Sequence, residues 1–280
     1  AITGATIQIN GTNFSGATQV AFAGATAVPF SVSAGSLSVA VPAGAATGSL
    51  TVTTPSGTSA ATANSFVVLP SISSGGFSPA KGAIGSTLTI AGTGFVAANA
   101  SQNVVNFNGA VTATASAATA SSLTVQVPEG AITGALNVTV NGTTTGPFST
   151  ASFVIVPQID VTGLSIVSGY GGESLTITGK GFNSIAANNT VNFGGGVSAV
   201  PFSATTTSLG VTVPAGFTTG ALTVTTSGEA SAASVQTFIR KSVVVTAPNG
   251  GEAFNLGDSY AITWTEEGLD ADSPLTISYS

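Results

Sequence analysis

The chain has 280 residues, 43% of them hydrophobic and only 5% charged, with ten acidic and four basic residues and no cysteine, methionine or histidine. The four cations, Lys81, Lys180, Arg240 and Lys241, are too few for the phosphate-neutralising face that nucleic-acid binding needs or for a basic stripe against an anionic membrane. Without His or Cys there is no serine triad, cysteine nucleophile or usual zinc site, and no run approaches the roughly 18 apolar residues of a membrane helix.

This length gives room for two or three domains. Soluble surfaces usually carry charge at about a quarter to a third of their positions. Gly, Ala, Ser and Thr take that place here, which predicts a neutral, small-featured surface suited to close packing, a glycan coat or secretion rather than to a free cytosolic enzyme. The absence of Met predicts a processed form or an interior piece of a longer chain, and the absence of Cys leaves the compartment open.

In chain order, Thr6–Gly11 alternates with Ile7 and Ile9 on one face, and Phe14 follows. Val20 and Phe22 alternate in a second strand, Val28-Pro29-Phe30 comes next, and Ser65–Pro70 reads as a closing strand. Between them lies Val-Pro-x-Gly-x-x-Thr-Gly-x-Leu-x-Val at 41–52, found again at 127–138 and 213–224. The offsets 127 − 41 and 213 − 127 are both 86 residues, a period that marks a repeated small domain. Leu37, Val39 and Val41 lead into the block on one strand face. Pro42 ends the ladder, Gly44 and Gly48 let the chain reverse, and Leu50 and Val52 resume the alternation. Short strands at such spacing predict an all-β sandwich or barrel.

The second unit repeats this order behind an extra strand, Ile72–Phe77. Thr87–Phe95 matches Thr6–Phe14, Val105 and Phe107 match Val20 and Phe22, and Ser152–Pro157 matches Ser65–Pro70. The third has Ser174–Phe182, Val191, Phe193 and Phe238 in these places, with Pro201-Phe202 restoring the Pro29-Phe30 pair. The predicted domains are therefore 1–70, 71–157 and 158–241, followed by an incomplete and different β domain at 242–280. The first domain has no counterpart of Ile72–Phe77, so its opening strand is expected either upstream or from a neighbouring chain. No spacer separates Pro70 from Ser71 or Pro157 from Gln158, which predicts a semi-rigid rod. In the last segment Ser242–Thr246, Tyr260–Thr265 and Leu275–Tyr279 read as strands.

Gly85-Ser86-Thr87-Leu88-Thr89-Ile90-x-Gly92-x-Gly94-Phe95, with Val105-x-Phe107-x-Gly109 and Val127-Pro128, resembles the IPT/TIG family, and Gly172–Phe182 resembles it equally. That resemblance spans residues 1–241 and implies tandem immunoglobulin-like, early-set β-sandwiches. It also implies a setting in cell-surface receptors, in bacterial or archaeal surface and adhesion proteins, or beside starch-acting enzymes. It brings no catalytic residues. Val245-Thr246-x-Pro248-Asn249-Gly250-Gly251-Glu252, with Gly257 and Ile262-Thr263-Trp264, is similar to the Ser/Thr-rich cell-wall-associated domain of the yeast wall-synthesis type, which implies an extracellular setting.

Little chemistry is left to place. Glu129, Asp160, Glu173 and Glu229 stand singly, as solvated loop residues do, and no catalytic residue is assigned. Glu266, Glu267, Asp270 and Asp272 form the one acidic cluster; with backbone carbonyls it is a weak Ca²⁺ candidate, but its spacing matches no EF-hand loop and it is read first as a solvated hairpin loop. Asn10, Asn13, Asn99, Asn137, Asn141 and Asn188 head glycosylation sequons. Phe14, Phe95 and Phe182 recur at one place in every copy and are expected to plug the cores. Trp264 is expected in the core of the last domain. Lys81 and Lys180 are expected outside strands, which speaks against a Lys–Asn crosslink.

The expected function is a non-catalytic extracellular structural rod of a stalk, surface layer or self-assembling filament. Its partners would be further copies, neighbouring surface proteins or glycans, with no nucleic acid, no cofactor and no direct membrane insertion. The alternative is a carbohydrate-binding or adhesive module of a larger secreted protein, with Tyr170, Phe217 and Trp264 as candidate aromatics.

Overall fold

The computed structural model describes residues 1–142 and 144–269, and it is all-β. Its residues fall into two compact units, Ala1–Ile155 and Val156 onward.

In the first unit, Thr6–Asn10 pairs antiparallel with Ser36–Ala40, which also holds Ser31–Val32. The facing sheet runs in the order Ala25–Ala27, Gln19–Ala23, Ala46–Thr54, Gly57–Thr58. Apolar residues from the two sheets, among them Val20, Phe22, Leu37, Val39, Leu50 and Val52, close one core between them. The period-2 alternation thus does what it predicts: one strand face is buried and the other presents Ser and Thr to solvent.

Residues 71–155 build the same sandwich with longer sheets. Thr87–Thr93 lies between Ser122–Gln126 and Ser71–Ser78, with Ile90 opposite Phe77. Asn103–Phe107 lies between Val111–Thr114 and Asn137–Val140. Lys81–Gly82 crosses to pair parallel with Ser152–Ile155. By comparison Thr6–Asn10 has, among the described residues, one strand partner instead of two. Ile7 and Ile9 are accordingly half-buried, whereas Leu88 and Ile90 are fully buried.

In the second unit, Ser174–Lys180 lies between Gln158–Leu164 and Ser208–Thr212, with Leu164 opposite Ile177. Thr218–Thr226 pairs with Asn189–Gly194, Thr237–Arg240 and Glu229–Ala230 in the facing sheet. Ser242–Ala247 then pairs with Thr263–Glu267 as a separate two-stranded sheet.

The structure corrects several expectations about individual strands. Ser65–Pro70 is reduced to a single bridge between Phe66 and Gly48. The expected strand Tyr260–Thr265 runs instead over Thr263–Glu267. Lys81 and Lys180 both lie in strands, Lys81–Gly82 and Ser174–Lys180. Leu275–Tyr279 lies outside the described residues.

Candidate functional site

The residues common to all three repeats are spent on packing. Phe14, Phe95 and Phe182 are buried, as expected of core plugs. A methyl group built on Gly11, Gly92 or Gly179 would overlap the ring of the phenylalanine three positions later, so each glycine is the seat of a ring. The residue between them takes a left-handed turn, at φ 60° for Asn13, 74° for Gly94 and 73° for Gly181. A second constant contact sets Phe22 edge-on to Phe66 at 5.6 Å, Phe107 to Phe153 at 6.2 Å and Phe193 to Phe238 at 6.0 Å.

In the recurring twelve-residue block the two glycines have different duties. Gly44, Gly130 and Gly216 have φ of 81°, 80° and 79° and make the reversal. Gly48 and Gly134 instead lie close against Ala23, at the end of a neighbouring strand, and Asn108, in the turn after Asn103–Phe107, where a side chain would collide. Reading both as turn residues from sequence is right for the first only.

Of the candidate aromatics, Phe217 is buried, 1% exposed, against Phe193 and Phe238. It stands where the other copies of the block have Ala45 and Ala131, both buried too, so it fills the sandwich and is no surface platform. Tyr170 is half exposed and its backbone N–H donates to Glu173 Oε2 at 3.1 Å. Trp264 is also half exposed, opposite Val245, and is not a core residue among those described. The solvent-facing aromatics that sequence inspection did not single out as candidates include Phe30 and Phe202, at 65% and 63% exposure. Their position in one Val-Pro-Phe triplet repeated in the first and third domains is the signal that marks them.

Within the acidic cluster, Glu267 Oε1 accepts a hydrogen bond from Thr219 Oγ1 at 2.7 Å, and Glu266 lies beside it on an exposed strand. Asp270 and Asp272 lie outside the described residues. Among the described residues no group of three or more His, Cys, Asp or Glu side chains could hold a metal ion. Glu252 has its carboxyl held below the ordinary glutamate range, chiefly by the Asn249 backbone N–H at 2.8 Å, with the Gly250 N–H adding to it. Of the sequon asparagines, Asn137 is buried with its Oδ1 accepting from Asn106 Nδ2 at 2.6 Å, while Asn10, Asn13, Asn99, Asn141 and Asn188 are exposed.

The loop after the plugging phenylalanine distinguishes the first domain from the other two. The second and third domains have a long loop after the plugging phenylalanine, folded back as a 3-10 turn at Ala100–Gln102 and Ala186–Asn188. A fully buried asparagine anchors each loop. Asn103 Oδ1 accepts from Val96 N–H at 2.8 Å while its Nδ2 donates to Val96 O at 2.9 Å; Asn189 makes the same pair with Asn183, at 2.9 and 2.7 Å. The first domain has no such loop: Phe14 to Val20 spans 20 − 14 = 6 positions, against 105 − 95 = 10 and 191 − 182 = 9. Between the 12–15 loop and the hairpin 54–59 lies a cavity of about 610 Å³ with Phe14 and Val52 in its lining, and a cavity of about 470 Å³ lies against Phe95, Val96, Ala120 and Val140 at the corresponding place in the second domain.

The fold thus defines a protein of tandem immunoglobulin-like β-sandwiches. The sequence profile of the IPT/TIG domain matches residues 1–68, 70–155 and 157–239, and the chain belongs to the IPT/TIG family. No curated protein matches it. Among solved structures, the full extracellular region of plexin A4 is 15% identical, with 86% of this chain and 23% of that one covered at a TM-score of 0.27. The surface glycan-binding protein PbSGBP-B from Prevotella bryantii is 18% identical, with 63% and 40% covered at a TM-score of 0.35. SGBP-B of the Bacteroides ovatus mixed-linkage glucan utilization locus, in complex with a mixed-linkage heptasaccharide, is 17% identical, with 87% and 66% covered at a TM-score of 0.25. The chain spans less than half the length of the first two of these proteins. No helix among the described residues is long and apolar enough to cross a membrane.

Proposed function

We propose that the chain is a non-catalytic, extracellular structural array of three domains, 1–70, 71–157 and 158–241, with 242–280 belonging to a different, wall-associated β domain. In this reading it serves as a stiff part of a bacterial or archaeal stalk, surface layer or self-assembling filament. The observation that carries the proposal is where the repeated residues go. The positions constant across copies are ring-seating glycines, plugging phenylalanines and ladder-facing aliphatics, all used to hold a sandwich together. Stiffness at the first join is supported by contact: Gly94 and Gly146 lie so close to Leu69 and Pro70 that neither could carry a side chain without displacing the connection. A chain with only 5% charged residues offers little electrostatic repulsion between copies, which favours self-association. Electron microscopy of native material is expected to show elongated particles that associate end to end or side by side as concentration rises. Compact monomers at every concentration would overturn the reading.

The second reading, a carbohydrate-binding or adhesive module, is favoured by the exposed Phe30 and Phe202 rings and by the cleft of the first domain. A glycan array tests it.

A further inference from the structure

The cleft of the first domain has a composition that selects its ligand. Thr12, Asn13 and Ser15 form one wall and the hairpin 54–59 forms the other. No charged residue lines it, so nothing there would compensate a phosphate or a carboxylate taken out of water. The hairpin is internally satisfied: Thr54 Oγ1 donates to Gly57 O at 3.2 Å, Thr58 pairs with Thr53 at 3.0 Å, and Ser59 Oγ donates to Ala60 O at 2.9 Å. The side chains of Thr12, Asn13, Ser15 and Ser56 have no hydrogen-bond partner among the described residues. Three hydroxyls and one amide, each able to donate and accept, therefore face a space within the size range of small-ligand pockets, with an aromatic and an aliphatic side chain beneath. The matching ligand is uncharged, rich in hydroxyls and apolar on one face.

We infer that this cleft is a binding site for a neutral saccharide of one or two rings. Ligand hydroxyls pair with Thr12, Asn13, Ser15 and Ser56, and the C–H face of a ring rests on Phe14 and Val52. The cavity at the corresponding place in the second domain, about 470 Å³, presents Gly94, Val96 and Val140 where the first domain presents Asn13, Ser15 and Thr54, and so lacks those polar groups. This goes beyond the structural reading above, which stands whether or not the cleft binds sugar.

The test titrates ¹⁵N-labelled protein of residues 1–280 with cellobiose, maltose, mannobiose and lactose, with glucose 6-phosphate and glucuronic acid as anionic controls. At least one neutral disaccharide is expected to shift the amides of residues 12–15 and 54–59 saturably, while the anionic sugars leave them unmoved. Asn13→Gly removes the amide without strain, since Asn13 already has φ 60°. Combined with Ser56→Ala, it is expected to weaken binding about 10-fold or more, as the loss of two hydrogen bonds implies. Replacing residues 15–17 with the Val96–Gln102 loop is expected to abolish it. The inference is overturned if no neutral saccharide gives a saturable shift, if the double variant or the loop replacement binds as tightly as the parent, or if glucose 6-phosphate binds equally well. Mass spectrometry showing the Asn13 amide already modified in native protein would overturn it as well.

Discussion

Gly11, Gly92 and Gly179 show how a single absent methyl group shapes each domain. Each lies under the ring of Phe14, Phe95 or Phe182, but the neighbours differ. Gly92 and Gly179 also press against the carbonyl oxygens of Ser71 and Gln158, whereas the three atoms nearest a methyl group on Gly11 all belong to the Phe14 ring. A ring tip can swing aside and a strand carbonyl cannot, so Gly92→Ala and Gly179→Ala are expected to cost about 1–3 kcal/mol each by overpacking, and Gly11→Ala less. Urea denaturation measures the order, and equal costs would place the strain elsewhere. Asn103 and Asn189 are buried amides with donor and acceptor both engaged. Replacing either with Ala strands a loop N–H and its carbonyls and is expected to lower stability by about 1–3 kcal/mol, read from the same denaturation curves. Glu252 gives a pH effect of definite sign. Its pKa is lowered in the folded turn, so its hold on the Asn249 and Gly250 amides is fully present above the unfolded value and is lost as pH falls through the folded one. Those two amide resonances are expected to titrate with a midpoint below the ordinary glutamate value of about 4.3. A midpoint at or above it would contradict the capped geometry.

The elements that matter most are the recurring twelve-residue corner and the loop after the plugging phenylalanine. The corner keeps a left-handed glycine in every copy to turn the chain, and in the first two copies a second glycine makes room for Ala23 or Asn108. The loop varies because its ends are fixed while its length is free. It has four extra residues in the second domain and three in the third, and in the second they bring Val96, Ala97 and Ala98 into the lining of the cavity there. The join between the first two domains is also an element with a testable contact. Gly146 lies against the Pro70 carbonyl, and Gly146→Ala is expected to dislodge the 67–71 connection. Limited proteolysis should then cut there faster while the core around Leu88 and Phe153 keeps its stability. Unchanged cleavage would show that the join is not held by this contact.

At the scale of the whole molecule, the three domains and the closing two-stranded segment form two compact units, and the family match covers the three domains. Much of this was legible in the sequence. Alternation at Thr6–Asn10, Thr87–Thr93 and Ser174–Lys180, and the constant 86-residue offset, are local and periodic signals that the folded strands reproduce closely. Phe217 was not legible, because its burial depends on Phe193 and Phe238 arriving from other strands. Nor was the weakening of Ser65–Pro70 to a bridge at Phe66, since pairing requires a partner as well as a pattern. The cleft was legible only in part. The shorter loop could be counted along the chain, but that a neutral pocket lies between it and the hairpin 54–59 follows only once residues about forty positions apart are brought together. By itself, then, the sequence determined the strands, the repeats, the family and the near-absence of charge, because each is written in composition or short-range order. The tertiary structure decided which glycines are obligatory, which aromatics face solvent and where a ligand could enter, because those depend on what distant residues leave empty or fill.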